Sequence, residues 1–293
     1  MRISIVPALV LVLGTVYPAP CQPAYPDRWP EETDKIVVRQ DLVYGTGGGR
    51  ELRLALISPR QGKGPFPAVV FVHGGGWRAG SPYHFSRQAK ILAENGYIGA
   101  CIEYRLSGEA RFPAAIEDVK CAVRWLRAHA GDYRVDTEKI AVSGGSAGGH
   151  LSLLAGTSGG VKELEGSGGW SGYSSRVQLV AAFNPACRLA GKTMEPVVRF
   201  IGLPYRENPE LYRRAEPAYY IDSSDPPMLL LHATGDKTIP YGESVEFVSL
   251  LHAAGVIAEL YTDEGPGHGW FNDEPYFTPT ARALVKFLDK YFK

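Results

Sequence analysis

Short apolar runs recur along the chain and alternate with stretches of helical spacing. We predict strands at residues 35–39, 52–57, 67–72, 98–104, 139–142, 177–183, 228–232 and 257–261. The first two runs flank a glycine-rich turn at residues 45–49, which predicts a hairpin. The later runs are almost continuously apolar, as expected for strands that are buried on both faces of a parallel sheet.

Helical spacing fills most of the intervals between these runs. We predict helices at residues 86–95, 113–129, 244–254 and 279–291, and in the second of them Ile116, Val119, Val123 and Leu126 share one face. Strands that alternate with helices predict an α/β class. The expected architecture is a mostly parallel sheet with helices on both faces and an antiparallel N-terminal hairpin. Residues 159–175 and 188–225 are weakly patterned, and we expect both to form active-site loops.

A Gly-x-Ser-x-Gly motif lies between a predicted strand and a helix-like run. It comprises Gly144, Ser146 and Gly148. In a strand–turn–helix context this motif is typical of a nucleophile elbow, a tight turn that exposes the serine hydroxyl above the sheet. A glycine on each side leaves room for the turn. Ser146 is therefore the candidate nucleophile.

A serine nucleophile needs a base and an acid that orients the base. His268 lies in a glycine-flanked loop after the last predicted strand, and it is the candidate base. His150 follows Ser146 too closely to turn back towards the hydroxyl. Asp236 comes directly after a strand and is the candidate acid, with Asp263 and Glu264 as alternatives. The order serine, acid, histidine is the one that this architecture requires.

Backbone donors for an oxyanion are predicted at two places. Ala147 follows the nucleophile directly, and Gly75 and Gly76 lie in a glycine loop that follows the strand at residues 67–72. Glycines allow the backbone to approach a substrate carbonyl closely. Trp77 and Trp270 flank the glycine loop and the His268 loop, and we assign them to substrate binding.

Composition narrows the function classes. The 293 residues carry 31 Lys and Arg side chains and 31 Asp and Glu side chains, so the formal net charge is zero. This charge balance gives no indication of a nucleic-acid partner. Four cysteines without regular spacing, at positions 21, 101, 121 and 187, make neither a disulfide framework nor a zinc site. We predict no metal and no cofactor, and the oligomeric state stays open.

The N-terminus has the pattern of an export signal. Arg2 precedes an apolar stretch at residues 3–16, followed by a region rich in small residues and proline. We predict a signal peptide at residues 1–22, with lipidation at Cys21 as a lesser alternative, and one domain at residues 23–293. The apolar stretch is short for a membrane span, so we expect none in the mature protein and a secreted or periplasmic location.

Several ordered motifs together resemble a known family. They are His73-Gly-Gly-Gly-Trp77, Tyr104-Arg-Leu106, Phe112-Pro-Ala-Ala-Ile-Glu-Asp118, Gly144-Gly-Ser-Ala-Gly-Gly-His150, Asp236 before Pro240, and His268-Gly. From about residue 65 onward the chain resembles α/β-hydrolases of the hormone-sensitive-lipase-like esterases, and among these the bifunctional feruloyl/acetyl xylan esterase-like group. One departure is Asn184-Pro-Ala-Cys187, where the resemblance leads us to expect an acidic residue.

The resemblance implies a secreted serine carboxylic ester hydrolase without a cofactor. It implies Ser146, Asp236 and His268 as the triad, and a small ester or an acylated carbohydrate as substrate, with acetyl or feruloyl groups removed from plant polysaccharides. The alternatives are a general short-chain carboxylesterase or an arylformamidase-like hydrolase. A non-enzymatic member of the same fold is a further alternative, disfavoured because all three triad candidates occur in order.

Overall fold

The computed structural model describes residues 27–293. The predicted export signal at residues 1–22, including Cys21, lies outside the described residues. Cys101, Cys121 and Cys187 are buried free thiols, so the cysteines in the described range serve as small core side chains.

A single eight-stranded sheet runs through residues 27–293. Its strands are β1 Ile36–Gly47, β2 Arg50–Pro59, β3 Phe66–Val72, β4 Ile98–Ile102, β5 Val135–Gly145, β6 Leu179–Phe183, β7 Met228–Ala233 and β8 Ala258–Asp263. Their order across the sheet is β1-β2-β4-β3-β5-β6-β7-β8. β1 pairs antiparallel with β2, and β2 antiparallel with β4. All remaining pairs are parallel, which confirms the predicted α/β class with an antiparallel start.

Helices cover both faces of this sheet. They are α1 Ser86–Glu94, α2 Ala114–Ala128, α3 Ala130–Tyr133, α4 Ala147–Thr157, α5 Glu195–Ile201, α6 Pro209–Ala215, α7 Tyr241–Ala253 and α8 Phe277–Phe292. Two core clusters result. α2, α4 and α7 pack on one face of the sheet, and α1 and α8 pack on the other. The central strands are therefore buried on both faces, which explains their continuous apolar runs.

The predicted helical face of α2 illustrates how the pattern translates into packing. Ile116, Val119, Val123 and Leu126 are all buried in the first core cluster. Burying each such side chain stabilises the fold by about 1.5–3 kcal/mol before conformational entropy is counted. These contacts fix α2 against the same face of the sheet as α4, the helix that follows Ser146.

The topology brings the candidate residues to one edge of the sheet. β3, β5, β6, β7 and β8 run in the same direction, so the loops after their carboxyl ends meet there. These loops carry, in chain order, the glycine loop, Ser146, Asn184, Asp236 and His268. The residues are far apart in sequence and become neighbours only through this topology.

Candidate active site

Ser146 occupies a strained turn between β5 and α4. Its backbone has φ 57° and ψ −120°, a left-handed conformation that is uncommon for a non-glycine residue. A Cβ on Gly144 would lie 2.5 Å from the carbonyl oxygen of Val72, and one on Gly148 would lie 2.0 Å from the same oxygen. Only glycine fits at either position. These contacts give the physical reason for the Gly-x-Ser-x-Gly spacing, and they are those of a nucleophile elbow.

The three predicted triad side chains meet above this turn. Nε2 of His268 lies 2.9 Å from Oγ of Ser146, and Nδ1 of His268 lies 2.7 Å from Oδ2 of Asp236. With a proton on Nδ1, the imidazole donates to the carboxylate and accepts from the serine hydroxyl. That tautomer leaves His268 ready to take the serine proton. The carboxylate in contact with His268 is therefore Asp236, not one of its alternatives, Asp263 and Glu264.

Asp236 is held in its ionised form. Burial alone raises the pKa of this carboxyl, but hydrogen bonds from His232 and His268 outweigh the burial and hold the pKa well below its usual range. Oδ1 also accepts from the backbone N–H groups of Thr238 and Ile239, at 2.8 and 3.0 Å. The carboxylate thus has a fixed direction and a fixed charge, as a residue that orients an imidazole requires.

A cavity of about 750 Å³ opens beside Ser146 and His268. The three predicted oxyanion donors, Gly75, Gly76 and Ala147, all line it. Gly75 has φ +112° and Gly76 has φ +61°, and a Cβ on Gly75 would lie 2.1 Å from the carbonyl oxygen of Ala79. The loop can hold this shape only with glycine at that position.

The two tryptophans assigned to substrate binding have different positions. Trp77 lines the cavity, although only 3% of its surface is exposed, and its ring stacks on Phe200 with centroids 4.6 Å apart. Trp270 is buried in the second core cluster and packs against Phe271. The structure therefore does not bring Trp270 to the cavity, because the turn after His268 directs its side chain into the core.

His150 lies in α4 with its ring fully buried. Nε2 donates to the backbone oxygen of Ala215 at 2.8 Å, and Nδ1 accepts from Nε1 of Trp77 at 3.3 Å. Burial lowers the pKa of this imidazole to about 4. His150 therefore links Trp77 of the glycine loop to Ala215 at the end of α6. Both of its ring nitrogens are occupied by these contacts, so it is not placed to act as the base for Ser146.

One of the two weakly patterned stretches forms a wall of the cavity. We call residues 188–225 the cavity segment; Lys192, Met194, Pro196, Val197 and Arg199 are its lining residues. Lys192 pairs with Glu243 at 2.6 Å, and Arg199 and Arg78 both approach Glu195, at 3.7 and 3.3 Å. None of these glutamates lines the cavity, so the charged groups that face it are basic.

The other stretch lies elsewhere, contrary to the expectation that it would form an active-site loop. We call residues 159–175 the flank segment. Its Trp170 donates from Nε1 to the backbone oxygen of Tyr44 at 2.7 Å, and its Glu165 pairs with Lys120 and Arg124 of α2 at 2.9 and 2.7 Å. The flank segment follows the end of α4, not the carboxyl end of a strand, so it packs beside β1 and α2.

Sequence reasoning missed several residues of the cavity. His84, Lys192 and Arg199 all line it, and none lies in a recognisable motif. Asn184 contacts His268 directly: its amide nitrogen is placed 2.7 Å from Nδ1 and 3.1 Å from Nε2. The sequence marked Asn184 as a departure from the family pattern, not as a neighbour of His268.

Residues 27–293 show neither a metal site nor a membrane-spanning helix. No group of three or more His, Cys, Asp or Glu side chains there has a geometry that could hold a metal ion. None of the helices in that range is long and apolar enough to cross a membrane.

The sheet, the elbow and the Ser–His–Asp contacts define an α/β-hydrolase of the hormone-sensitive-lipase-like type. The BD-FAE family model matches residues 54–251, and the chain belongs to this family.

Individual relatives and solved structures agree with this assignment. Esterase LipC of Mycobacterium tuberculosis (strain ATCC 25618 / H37Rv) is 31% identical over 237 residues, which cover 77% of this chain and 59% of LipC. A truncated carbohydrate esterase from gut microbiota superposes with a TM-score of 0.80 at 26% identity, covering 89% of this chain and 100% of that one. Apo Thermogutta terrifontis esterase 2 has a TM-score of 0.76 at 30% identity, covering 90% and 98%. The chain spans less than two thirds of the length of LipC.

Proposed function

We propose that this protein is a secreted serine carboxylic ester hydrolase that removes acetyl or feruloyl groups from plant polysaccharides. The observation that carries the hydrolase assignment is the pair of contacts made by His268, 2.9 Å to Ser146 and 2.7 Å to Asp236. The polysaccharide assignment is supported by the likeness to a carbohydrate esterase and by a cavity open enough to admit a bulky alcohol.

Acylation begins when the substrate carbonyl enters beside Ser146. His268 Nε2 takes the hydroxyl proton as Oγ attacks the carbonyl carbon, and Asp236 stabilises the imidazolium that forms. The negative oxygen of the tetrahedral intermediate accepts hydrogen bonds from the backbone N–H groups of Gly75, Gly76 and Ala147. The carbon–oxygen bond to the alcohol then breaks, and His268 returns its proton to the leaving alcohol.

Deacylation repeats these steps with water. His268 removes a proton from water as the water oxygen attacks the acyl carbonyl, and the same backbone donors bind the second oxyanion. Collapse of this intermediate breaks the bond to Ser146 Oγ, which recovers its proton from His268. The products are the free acid and the unmodified serine.

A second candidate keeps this chemistry and changes the substrate. Thermogutta terrifontis esterase 2, which is 28–30% identical, has been solved with butyrate bound and with propionate bound. That observation favours a general short-chain carboxylesterase. The lining contributed by Ala186, Met194, Val197 and Ile239 is apolar and would accept a short acyl chain equally well.

The experiment that separates the two candidates measures acetate release from acetylated xylan, with 4-nitrophenyl acetate and butyrate assayed in parallel. We expect the mature protein to release acetate from the polymer and to hydrolyse the acetyl ester. Turnover of the small esters alone would reject acetyl removal from polysaccharides and leave feruloyl removal and the short-chain carboxylesterase. Turnover of none would reject the hydrolase assignment. N-terminal sequencing of exported protein tests the proposed removal of residues 1–22.

A further inference from the structure

Asn184 is a buried amide beside the candidate base. It follows β6 directly, and 1% of its surface is exposed. Its backbone has φ 35°, in the left-handed region that asparagine tolerates better than most residues. Its backbone N–H donates to the oxygen of Leu231 at 2.7 Å. The neighbouring strand therefore holds the residue in this strained conformation, a type of strain that is concentrated at functional sites.

The amide head lies close to both nitrogens of the His268 ring. The atom placed as Nδ2 is 2.7 Å from Nδ1 and 3.1 Å from Nε2. Both nitrogens already have partners, because Nδ1 donates to Asp236 and Nε2 accepts from Ser146. An amide N–H group pointing at this ring therefore has no free lone pair to donate to.

The oxygen of the Asn184 amide also lacks a hydrogen-bond partner within residues 27–293. As placed, Oδ1 of Asn184 is buried and has no hydrogen-bond partner among the described residues. The oxygen and nitrogen of an asparagine amide are assigned from their hydrogen bonds and can be exchanged. Exchange brings the oxygen against the imidazole, and its similar distances to Nδ1 and Nε2 place it over the face of the ring. The exchange also moves the amide NH2 group to the position at which the oxygen has no hydrogen-bond partner among the described residues.

We propose that Asn184 is a positioning residue for His268: its amide oxygen rests against the imidazole and stabilises the imidazolium that forms when Ser146 attacks the substrate. The proposal rests on the proposed hydrolase function. Because the amide is neutral, Asn184 favours the cation without adding a second full negative charge beside Asp236. A carboxylate in place of this amide would put a second full negative charge beside the imidazole.

Two variants separate this role from a purely backbone role. Asn184→Asp keeps the shape and the tolerance for positive φ but adds a negative charge. Asn184→Gly accepts φ 35° without strain and removes the amide. The remaining charged and titratable groups near His268 are unchanged in both variants; they are Asp236, His232 behind it, Glu264 on the same loop, and His84, Arg78, Lys192 and Arg199 around the cavity.

The test measures kcat/KM for 4-nitrophenyl acetate against pH, whose acid limb reports the base of the free enzyme. We expect Asn184→Asp to move the acid limb upward by about one pH unit. We expect Asn184→Gly to move it downward by about one unit and to lower kcat about tenfold, because the same lost stabilisation of the imidazolium accounts for both changes.

The same measurements also define the result that would overturn the proposal. Wild-type kcat and an unmoved acid limb in Asn184→Gly would overturn the proposal and leave Asn184 with a backbone role only. If Asn184→Asp does not fold, the acid limb of Asn184→Gly decides alone. Failure of the hydrolase function itself appears separately, as a wild-type protein with no turnover at any pH.

Discussion

The cavity segment and the flank segment are both long connections with weak patterning, yet only the cavity segment contributes to the wall beside Ser146. The cavity segment leaves the carboxyl end of β6, at the edge where the candidate residues meet. The flank segment leaves the end of α4 and pairs through Glu165 with two cations of α2. Sheet topology, more than composition, therefore determines which of the two loops lines the cavity.

The largest effect on activity is expected for substitution of His268, at the edge of the sheet where the carboxyl ends of the parallel strands meet. His268→Ala removes the group that we propose takes the Ser146 proton, so kcat should fall by about 10⁴-fold or more. The unfolding free energy should change little, because the buried Asp236 keeps its contacts with His232 and with the backbone N–H groups of Thr238 and Ile239. Steady-state kinetics with 4-nitrophenyl acetate and urea unfolding measure the two quantities. Activity within tenfold of wild type would show that this edge does not carry the chemistry.

A substitution in the flank segment should lower stability and leave activity unchanged. Glu165→Gln leaves the buried ammonium of Lys120 and the guanidinium of Arg124 without their carboxylate. We expect a loss of roughly 3 kcal/mol in unfolding free energy and an unchanged kcat/KM. Glu163→Gln, at an exposed position of the same segment, is the matched control and should alter neither. A drop in kcat/KM without a loss of stability would place the flank segment in the site.

Acid should weaken the attachment of the cavity segment. Burial lowers the pKa of His150, which holds the oxygen of Ala215, to about 4. Between about pH 6.5 and pH 4 the unfolded chain binds a proton that the folded chain does not, so the unfolding free energy falls as pH falls. For one such histidine the loss reaches roughly 3 kcal/mol at pH 4.

His150→Gln tests this account, because glutamine does not titrate in this range. The fall in unfolding free energy from pH 6.5 to pH 4, measured by urea unfolding, should become shallower. Burial also lowers the pKa values of His73 and His84 to about 4, so both contribute to the slope that remains. His252→Gln, at an exposed position of α7, is the control. Equal slopes in wild type and His150→Gln would contradict the prediction.

The smallest effect concerns the basic wall of the cavity. Arg199 faces the cavity but is half exposed, and one exposed charge contributes less than about 1 kcal/mol. Arg199→Gln should lower kcat/KM for mono-4-nitrophenyl succinate about threefold relative to neutral 4-nitrophenyl butyrate. Lys162→Gln, an equal loss of charge in the flank segment, should leave this ratio unchanged. An equal change in both variants would show a general effect of net charge.

Local patterns predicted most of the fold and the centre of the site. The glycines around Ser146 have contacts that any elbow requires, and Asp236 and His268 follow from chain order together with strand ends. Other features depend on long-range packing. Trp270 enters the core because of the turn before it, and Lys192 faces the cavity while paired with Glu243, 51 positions along the chain. The contact between Asn184 and His268 could not be predicted locally, because it forms only when the loop after β8 brings His268 against Asn184.

Covalent labelling shows whether Ser146 is the nucleophile of this hydrolase. Thermogutta terrifontis esterase 2 has been solved phosphonylated by cyclosarin, so a fluorophosphonate is a suitable probe. Peptide mass spectrometry should find one adduct per chain, on Ser146, no adduct in Ser146→Ala, and slower labelling in His268→Ala. The absence of an adduct in the wild-type protein, or an adduct on a different residue, would contradict the assignment.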